Sequence, residues 1–158
     1  MKGGCVKFLE LKVPPLLLLC ISSGGAYLIG LFSGQALFSN PSMLSLSIVL
    51  LAVGVYVAVQ GVLEFRRHNT TVDPLHPEAV SKIVDTGVYS KTRNPMYVGF
   101  VLMLAAWCLA VGVMQCLWVL PLFVLYLTKF QIEPEERVLA VEFDGQYELY
   151  CQKVRRWV

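Results

Sequence analysis

Long apolar runs separated by short polar stretches dominate the chain. The first run, Val13 to Phe32, contains no charged residue, and the second, Met43 to Phe65, contains only Glu64. A helix that crosses a bilayer needs about 20 apolar residues, so each run predicts one membrane span. The first run also resembles a secretory signal, but its apolar character continues well past the small residues at 22–26. This length favours a retained helix.

A third apolar run, Pro95 to Ile132, is too long for one span and has no charge before Lys129. Its weakest helical point is Gly112-Val113-Met114-Gln115. The pattern therefore predicts a helical hairpin, with a kink at Pro121 in the second arm. The two arms are expected at about Pro95–Val111 and Gln115–Phe130.

The stretch from Glu133 to Val154 has a different pattern, in which apolar residues recur every three or four positions and polar residues lie between them. This spacing predicts an amphipathic helix, which Gly145 should weaken. Arg155, Arg156 and Trp157 then resemble a membrane-interface anchor. The expected apolar face consists of Leu139, Phe143, Tyr147, Tyr150 or Cys151, and Val154.

The placement of charge sets the expected orientation. All 13 lysines and arginines of the 158 residues fall before Val13, between Glu64 and Asn94, or from Lys129 onward. Four spans would put these three regions on the same side of the membrane, and the positive-inside rule makes that side cytoplasmic, with both termini. The sequence thus predicts an all-α polytopic protein of about four spans with a cytosolic amphipathic helix. Residues 1–158 would form one domain, with two N-terminal spans in 1–64 and a second region, 65–158, that holds the polar stretch, the hairpin and the amphipathic helix.

The long polar stretch carries little evidence of its own for metal or nucleic-acid binding. A short helix is expected at about Pro77 to Val84. His68 and His76 lack a zinc spacing and a third ligand, so we expect no metal. The basic residues are too few and too close to the spans to indicate nucleic acid. The five cysteines form no CxxC pair and are expected to be packing residues in a reducing setting.

Two predicted helix starts hold most of the candidate chemistry. Asn94 is a good N-cap and Pro95 suits a first turn, as Asn40 and Pro41 do for the second span. Beside Arg93, the free N–H groups of this helix start would favour a carboxylate or phosphate. Arg93 is equally explained as a positive-inside anchor.

The second start is Glu133-Pro134-Glu135-Glu136. The helix dipole favours acids in a first turn by about 0.3–1 kcal/mol each, which explains one glutamate. Three acids in four residues below a span could also hold a cation such as an ammonium or a sulfonium. Both interpretations stay open on the residues alone.

The ordered motifs resemble the superfamily of isoprenylcysteine carboxyl methyltransferases and phospholipid methyltransferases, most closely its small prokaryotic members. The resemblance covers about Phe65 to Trp157. It is carried by Thr70-Thr71-Val72-Asp73-Pro74, Thr86-Gly87-Val88-Tyr89, Arg93-Asn94-Pro95-Met96-Tyr97-Val98-Gly99, a hydrophobic hairpin, and Glu135-Glu136.

The resemblance implies a membrane-embedded methyltransferase that uses S-adenosylmethionine on a lipidic or prenylated acceptor, without metal. Where the common motif has histidine this chain has Asn94, so no imidazole role is assigned. Arg93, Glu135 and Glu136 are the candidate catalytic residues. The implied cofactor-binding residues are Gly87, Tyr89, Arg93, Asn94, Pro95, Tyr97, Gly99, Glu135 and Glu136.

Three other functions remain alternatives. One is a reductase of isoprenoid or sterol double bonds on a related fold, and another is a non-enzymatic membrane assembly protein. A transporter is disfavoured because the spans hold almost no ionisable residues. The sequence leaves the methyl acceptor, the glutamate that holds the cofactor and the oligomeric state open.

Overall fold

The apolar runs are helices in the computed structural model, which describes residues 10–68 and 82–158. α1 spans Pro15–Phe32 and α2 spans Pro41–Arg67. The Asn40 side chain accepts hydrogen bonds from the backbone N–H groups of Ser42 and Met43, at 3.1 and 3.2 Å. The predicted cap and first-turn proline of the second span are therefore confirmed.

The predicted hairpin is also present. α3 spans Pro95–Val111 and ends at Gly112, whose φ of 78° requires the left-handed conformation that glycine adopts without strain. A 3₁₀ turn, Met114–Trp118, then leads into α4, Val119–Leu127. The expected kink at Pro121 is wrong, since this residue lies in the first turn of α4, where proline costs no helical hydrogen bond.

The helix continues from α4 without a loop. Thr128–Ile132 form a π-helical turn, and α5 follows at Glu133–Lys153. The backbone of α5 is irregular at Asp144, with φ 39° and ψ −128°, next to the glycine expected to weaken it. The predicted apolar face of α5 is confirmed, because Tyr147, Tyr150 and Val154 are buried together and Leu139, Phe143 and Cys151 pack against them.

Three stretches are long and apolar enough to cross a membrane, namely α1, α2 and the continuous helix that begins at Met114. α3 is apolar but has 17 residues, about 25 Å of helix against a hydrocarbon core of about 30 Å. The acids of α5 keep it out of this core. The described residues thus form an all-α polytopic membrane protein, as predicted.

The basic regions meet at one end of this bundle, which we call the polar end: residues 10–14, 64–68, 82–95 and 129–157. There the Leu11 N–H donates to the Phe130 carbonyl at 3.0 Å, and the Arg137 guanidinium pairs with Glu10 at 2.5 Å. At the opposite end the Phe38 N–H donates to the Val111 carbonyl at 3.4 Å.

Part of the polar loop lies outside the described residues. This part includes the motif at 70–74, His76 and most of the short helix expected near 77–84. Within that expected helix, residues 82–84 are described and are not helical. The loop returns through a 3₁₀ turn, Gly87–Ser90, before α3 begins.

Candidate functional site

The two adjacent acids at the start of α5 point to different partners. Successive residues on a helix are about 100° apart, so Glu135 and Glu136 cannot face the same group. The Tyr97 hydroxyl, one turn into α3, donates a hydrogen bond to Glu135 Oε1. Glu135 therefore faces α3, whereas Glu136 faces the segment before α3 and the segment after α5.

Glu135 is an acid held in poor contact with water. The pKa of its carboxyl is raised from 4.5 to about 8, because burial and the negative charge of Glu136, which raise it, together outweigh the hydrogen bond from Tyr97, which lowers it. No arginine or lysine among the described residues forms a salt bridge with Glu135. A cation beside it would remove the cost of ionising this carboxyl.

Glu136 has two arginine partners. Arg93 Nη2 lies 3.1 Å from Glu136 Oε1. Arg156 donates twice, from Nε to Oε1 at 3.1 Å and from Nη2 to Oε2 at 2.6 Å. These hydrogen bonds raise the pKa of the Arg156 guanidinium. Both oxygens of Glu136 are thus occupied by charge-assisted hydrogen bonds.

Asn94 does not cap α3, which corrects the sequence prediction. Its side chain makes no capping bond, and Nδ2 instead donates to the Arg156 carbonyl at 2.9 Å. The Arg93 N–H donates to the Arg155 carbonyl at 2.9 Å. The Asn94 amide thus bonds to the segment after α5 and not to the start of α3, where the sequence predicts it.

Within residues 10–68 and 82–158, two buried polar atoms of this site have no hydrogen-bond partner, the Tyr89 hydroxyl and Arg93 Nε. Burial, together with the nearby Tyr150, Glu135 and Glu64, raises the pKa of the Tyr89 hydroxyl well above its ordinary range. The Tyr89 carbonyl accepts from the Tyr150 hydroxyl at 2.8 Å, which ties the 3₁₀ turn to α5. Buried polar atoms are usually hydrogen-bonded, so these two are exceptions at the centre of the site.

Gly87, one of the implied cofactor residues, lies against Glu64 rather than against the acid pair. Its φ is 56°, and a Cβ added to it would lie 2.5 Å from Glu64 Oε1. Glu64 is 7% exposed, pairs with Arg67 at 2.8 Å and accepts from the Thr86 hydroxyl at 3.2 Å. This glutamate therefore joins the end of α2 to the turn that carries Tyr89.

Gly99 and Pro95 belong to the α2–α3 contact. A Cβ on Gly99 would lie 2.6 Å from the Gly54 carbonyl oxygen and 2.7 Å from the Ala58 Cβ. Pro95 is buried and lies near Gly61 of α2. The structure gives both residues a packing role and does not bring Gly99 to the acid pair.

An open groove of about 620 Å³ lies along α5, beside Glu136 and Arg156. Its lining mixes acids, arginines and aromatic or small side chains, and Cys151 lies within it. The Arg93 guanidinium also contacts Cys151, through Nη1 and Sγ. The residues that line the groove are Glu133, Glu136, Arg137, Ala140, Tyr147, Glu148, Cys151, Gln152 and Arg156.

The structure thus brings together six of the nine residues implied by the resemblance, namely Tyr89, Arg93, Asn94, Tyr97, Glu135 and Glu136. Sequence reasoning missed Arg156, which it took for an interface anchor, and Trp157, which packs against the main hydrophobic core. It also missed Glu64, although a single acid inside an apolar run is a signal for a functional or paired residue. No local signal marks Arg156.

Comparisons with known proteins support the family resemblance that the sequence motifs indicate. A family model described as phospholipid methyltransferase matches residues 42–145. An uncharacterized protein of Haemophilus influenzae is 40% identical over 63 residues, 40% of this chain and 100% of that protein. Probable protein-S-isoprenylcysteine O-methyltransferases of Oryza sativa, subspecies indica and japonica, are each 33% identical over 114 residues.

The match to the rice proteins covers 68% of this chain and 56% of each of them, so the chain spans about half the length of these two relatives. No solved structure matches. The family model covers well over half of the chain, and it includes α2, the turn at 87–90, α3 and the acid pair of α5. The chain therefore belongs to the phospholipid methyltransferase family, within the superfamily that the sequence resemblance predicts.

Proposed function

We propose that this chain is an integral membrane methyltransferase that uses S-adenosylmethionine and modifies a lipidic or prenylated acceptor. The observation that carries the proposal is the pair of unlike acid environments at the start of α5. Glu135 is half-buried beside Tyr97 and has no salt bridge to an arginine or lysine among the described residues, whereas Glu136 is held by Arg93 and Arg156. Such a site offers a place for a positive group next to a place for a negative one.

S-adenosylmethionine fits this donor set by charge. It carries an ammonium, a sulfonium and a carboxylate, and it supplies an electrophilic methyl group on the sulfonium. Glu133, Glu135 and Glu136 with Arg93 and Arg156 sum to −1 (three acids, two bases) once Glu135 is ionised. The bound ligand, at +1, would leave this cluster neutral, which favours burial of the whole group.

The two glutamates then have separate roles. Both oxygens of Glu136 already accept from arginines, so Glu136 fixes Arg93 and is poorly placed to take a further cation. Glu135 accepts one hydrogen bond, from the Tyr97 hydroxyl. Because burial opposes its ionisation, a neighbouring cation would stabilise its charged form more than that of Glu136. We assign Glu135 to the ammonium or sulfonium.

Arg93 is the candidate partner of the ligand carboxylate. Its Nε is buried and no described residue accepts from it, while Nη2 is occupied by Glu136. The unpartnered Tyr89 hydroxyl is available to the same ligand. Asn94 acts indirectly in this arrangement, through its bond to the Arg156 carbonyl.

The acceptor is expected to reach this site from the bilayer. The site lies at the polar end of helices whose outer faces are apolar, so a lipid chain can remain among them while its head group meets the cofactor. An acceptor carboxylate is ionised at pH 7 and needs no base. An acceptor amine must lose a proton, and one of the glutamates of the cluster is the candidate to take it.

We place this site on the cytosolic face. Eleven of the 13 lysines and arginines lie in the four segments that form the polar end, and Lys2 and Lys7 lie outside the described residues. The positive-inside rule puts such an excess in the cytoplasm. A cysteine introduced as Glu142→Cys, on the exposed side of α5, tests this orientation. With the five native cysteines replaced by serine, this cysteine should resist a membrane-impermeant maleimide in intact cells and react after lysis. Labelling in intact cells would reverse the assignment.

The cofactor is tested by calorimetric titration of the detergent-purified chain with S-adenosylhomocysteine. Saturable binding is expected for the wild type, with loss of at least about tenfold in affinity in Glu135→Gln and Arg93→Ala. Glu142→Gln removes an exposed acid of the same helix and should bind like the wild type. No binding at millimolar ligand by a folded wild type would refute the proposal.

The acceptor is tested by transfer of a radiolabelled methyl group in mixed micelles. A farnesylated cysteine analogue and phosphatidylethanolamine would be compared at equal mole fraction. Label in the first identifies a carboxyl acceptor and label in the second an amine acceptor. Label in neither, with cofactor binding intact, would exclude both classes.

A further inference from the structure

The segment that follows α5 is bound to the turn that precedes α3. We call residues 154–157 the tail segment. Val154 is buried with extended backbone, φ −125° and ψ 132°, where α5 ends. Two successive carbonyls of this segment, those of Arg155 and Arg156, then accept three hydrogen bonds. The donors are the Arg93 N–H at 2.9 Å, Asn94 Nδ2 at 2.9 Å and the Thr92 hydroxyl at 3.3 Å.

The side chain of Arg156 continues the same connection to α5. Its guanidinium donates to both oxygens of Glu136, at 3.1 and 2.6 Å, and Nη1 lies 4.0 Å from Glu133. Arg93 shares the Glu136 Oε1 atom at 3.1 Å. Arg156 therefore contacts the Asn94 side of the site through its backbone and the Glu136 side through its guanidinium.

We propose that Arg156 is a positioning residue for the cofactor site, holding Glu136, and through it Arg93, in place before the ligand binds. This inference rests on the proposed function. A bidentate guanidinium fixes both the distance and the plane of a carboxylate, which a single ammonium cannot do. With Glu136 fixed in this way, Arg93 Nη2 is held while Nε remains available for the ligand carboxylate.

Loss of the Arg156 guanidinium changes which groups the Arg93 guanidinium binds. In Arg156→Gln, Glu136 keeps one cation instead of two, so it competes with the ligand carboxylate for the whole Arg93 fork. The expected result is a roughly tenfold higher Kd for S-adenosylhomocysteine. The KM for S-adenosylmethionine should rise by a similar factor, while the KM for the acceptor stays within about twofold. Arg156→Lys keeps the charge but not the fork and should recover part of the loss.

The test is calorimetry on folded, detergent-purified variants, with folding checked by thermal unfolding and gel filtration. Lys153→Gln removes an equal charge from an exposed site three residues earlier and serves as the matched control. A double-mutant cycle tests whether Arg156 acts on the ligand site through Glu136 or only stabilises the fold. If Arg156 acts through Glu136, Arg156→Gln in a Glu136→Gln background should change Kd by less than about twofold.

The possible outcomes distinguish failure of this inference from failure of the proposed function. Equal Kd values for the wild type and folded Arg156→Gln or Arg156→Lys would overturn the positioning role and leave the cofactor assignment standing. A full tenfold effect that persists in the Glu136→Gln background would also overturn it. Failure of the wild type itself to bind would overturn the proposed function and this inference with it.

Discussion

The Glu135 carboxyl makes ligand affinity depend on pH, provided it receives the cation of the cofactor. Burial raises its pKa from 4.5 to about 8 in the free chain. At pH 7 about nine-tenths of the molecules then carry a proton on this group. Because a positive ligand binds the carboxylate in preference to the acid, binding near neutrality should release most of that proton.

The size of the effect follows from the ionised fraction of Glu135. With a pKa of about 8, this fraction is roughly 0.01 at pH 6, 0.1 at pH 7 and 0.5 at pH 8. The apparent Kd varies inversely with the binding-competent fraction, so Glu135 should lower it about 50-fold between pH 6 and pH 8. In Glu135→Gln no such proton exists. The ratio of the variant Kd to the wild-type Kd should therefore rise about 50-fold over this range.

The assay is calorimetric titration with S-adenosylhomocysteine at pH 6, 7 and 8, each in two buffers of different ionisation enthalpy. The ammonium of the ligand titrates equally for both proteins, so the ratio of Kd values isolates the carboxyl. The buffer dependence should give about 0.9 proton released per ligand at pH 7 for the wild type. Because S-adenosylhomocysteine carries the ammonium but no sulfonium, a ratio constant within threefold, with no proton released, would refute the assignment of Glu135 to the ammonium.

The same pKa shift predicts the stability of the free chain. Because the pKa is raised in the folded state, the stabilising contribution is fully present below about pH 4.5 and is lost as the pH rises through about 8. The wild type should therefore lose stability relative to Glu135→Gln across this window, and thermal unfolding in detergent measures the difference. Parallel curves for the two proteins would contradict the raised pKa.

Two further predictions concern Gly99 and Glu64, which make contacts next to the site. Gly99→Ala should destabilise the chain by about 1–3 kcal/mol, because its Cβ would lie 2.6 Å from a backbone oxygen of α2, whereas Gly25→Ala meets nothing within 4 Å and should not lower the unfolding temperature. Glu64→Ala should cost about 0.5–1.5 kcal/mol, since the Thr86 hydroxyl and the Arg67 guanidinium lose the carboxylate that accepts from them, and Glu64→Gln should restore part of this. Equal unfolding temperatures for either pair of variants would count against the contacts described.

Sequence alone determined the features that depend on neighbours along the chain. The bilayer requires about 20 apolar residues per span, so hydropathy located α1, α2 and the hairpin without tertiary information. The Asn40 cap and the break at Gly112 are likewise properties of a few adjacent residues. The apolar face of α5 followed from its three-to-four-residue period.

Only the tertiary structure decided how the polar residues are shared. Asn94 looks like a cap, yet its amide bonds to the Arg156 carbonyl, 62 positions away, because the tail segment reaches the turn before α3. Gly99 lies within the motif, yet it serves the close approach of α2. The adjacent Glu135 and Glu136 have different partners, because helical rotation turns one toward Tyr97 and the other toward two arginines. These contacts depend on which segments, far apart along the chain, meet in the fold. The residues adjacent to a given position do not show this.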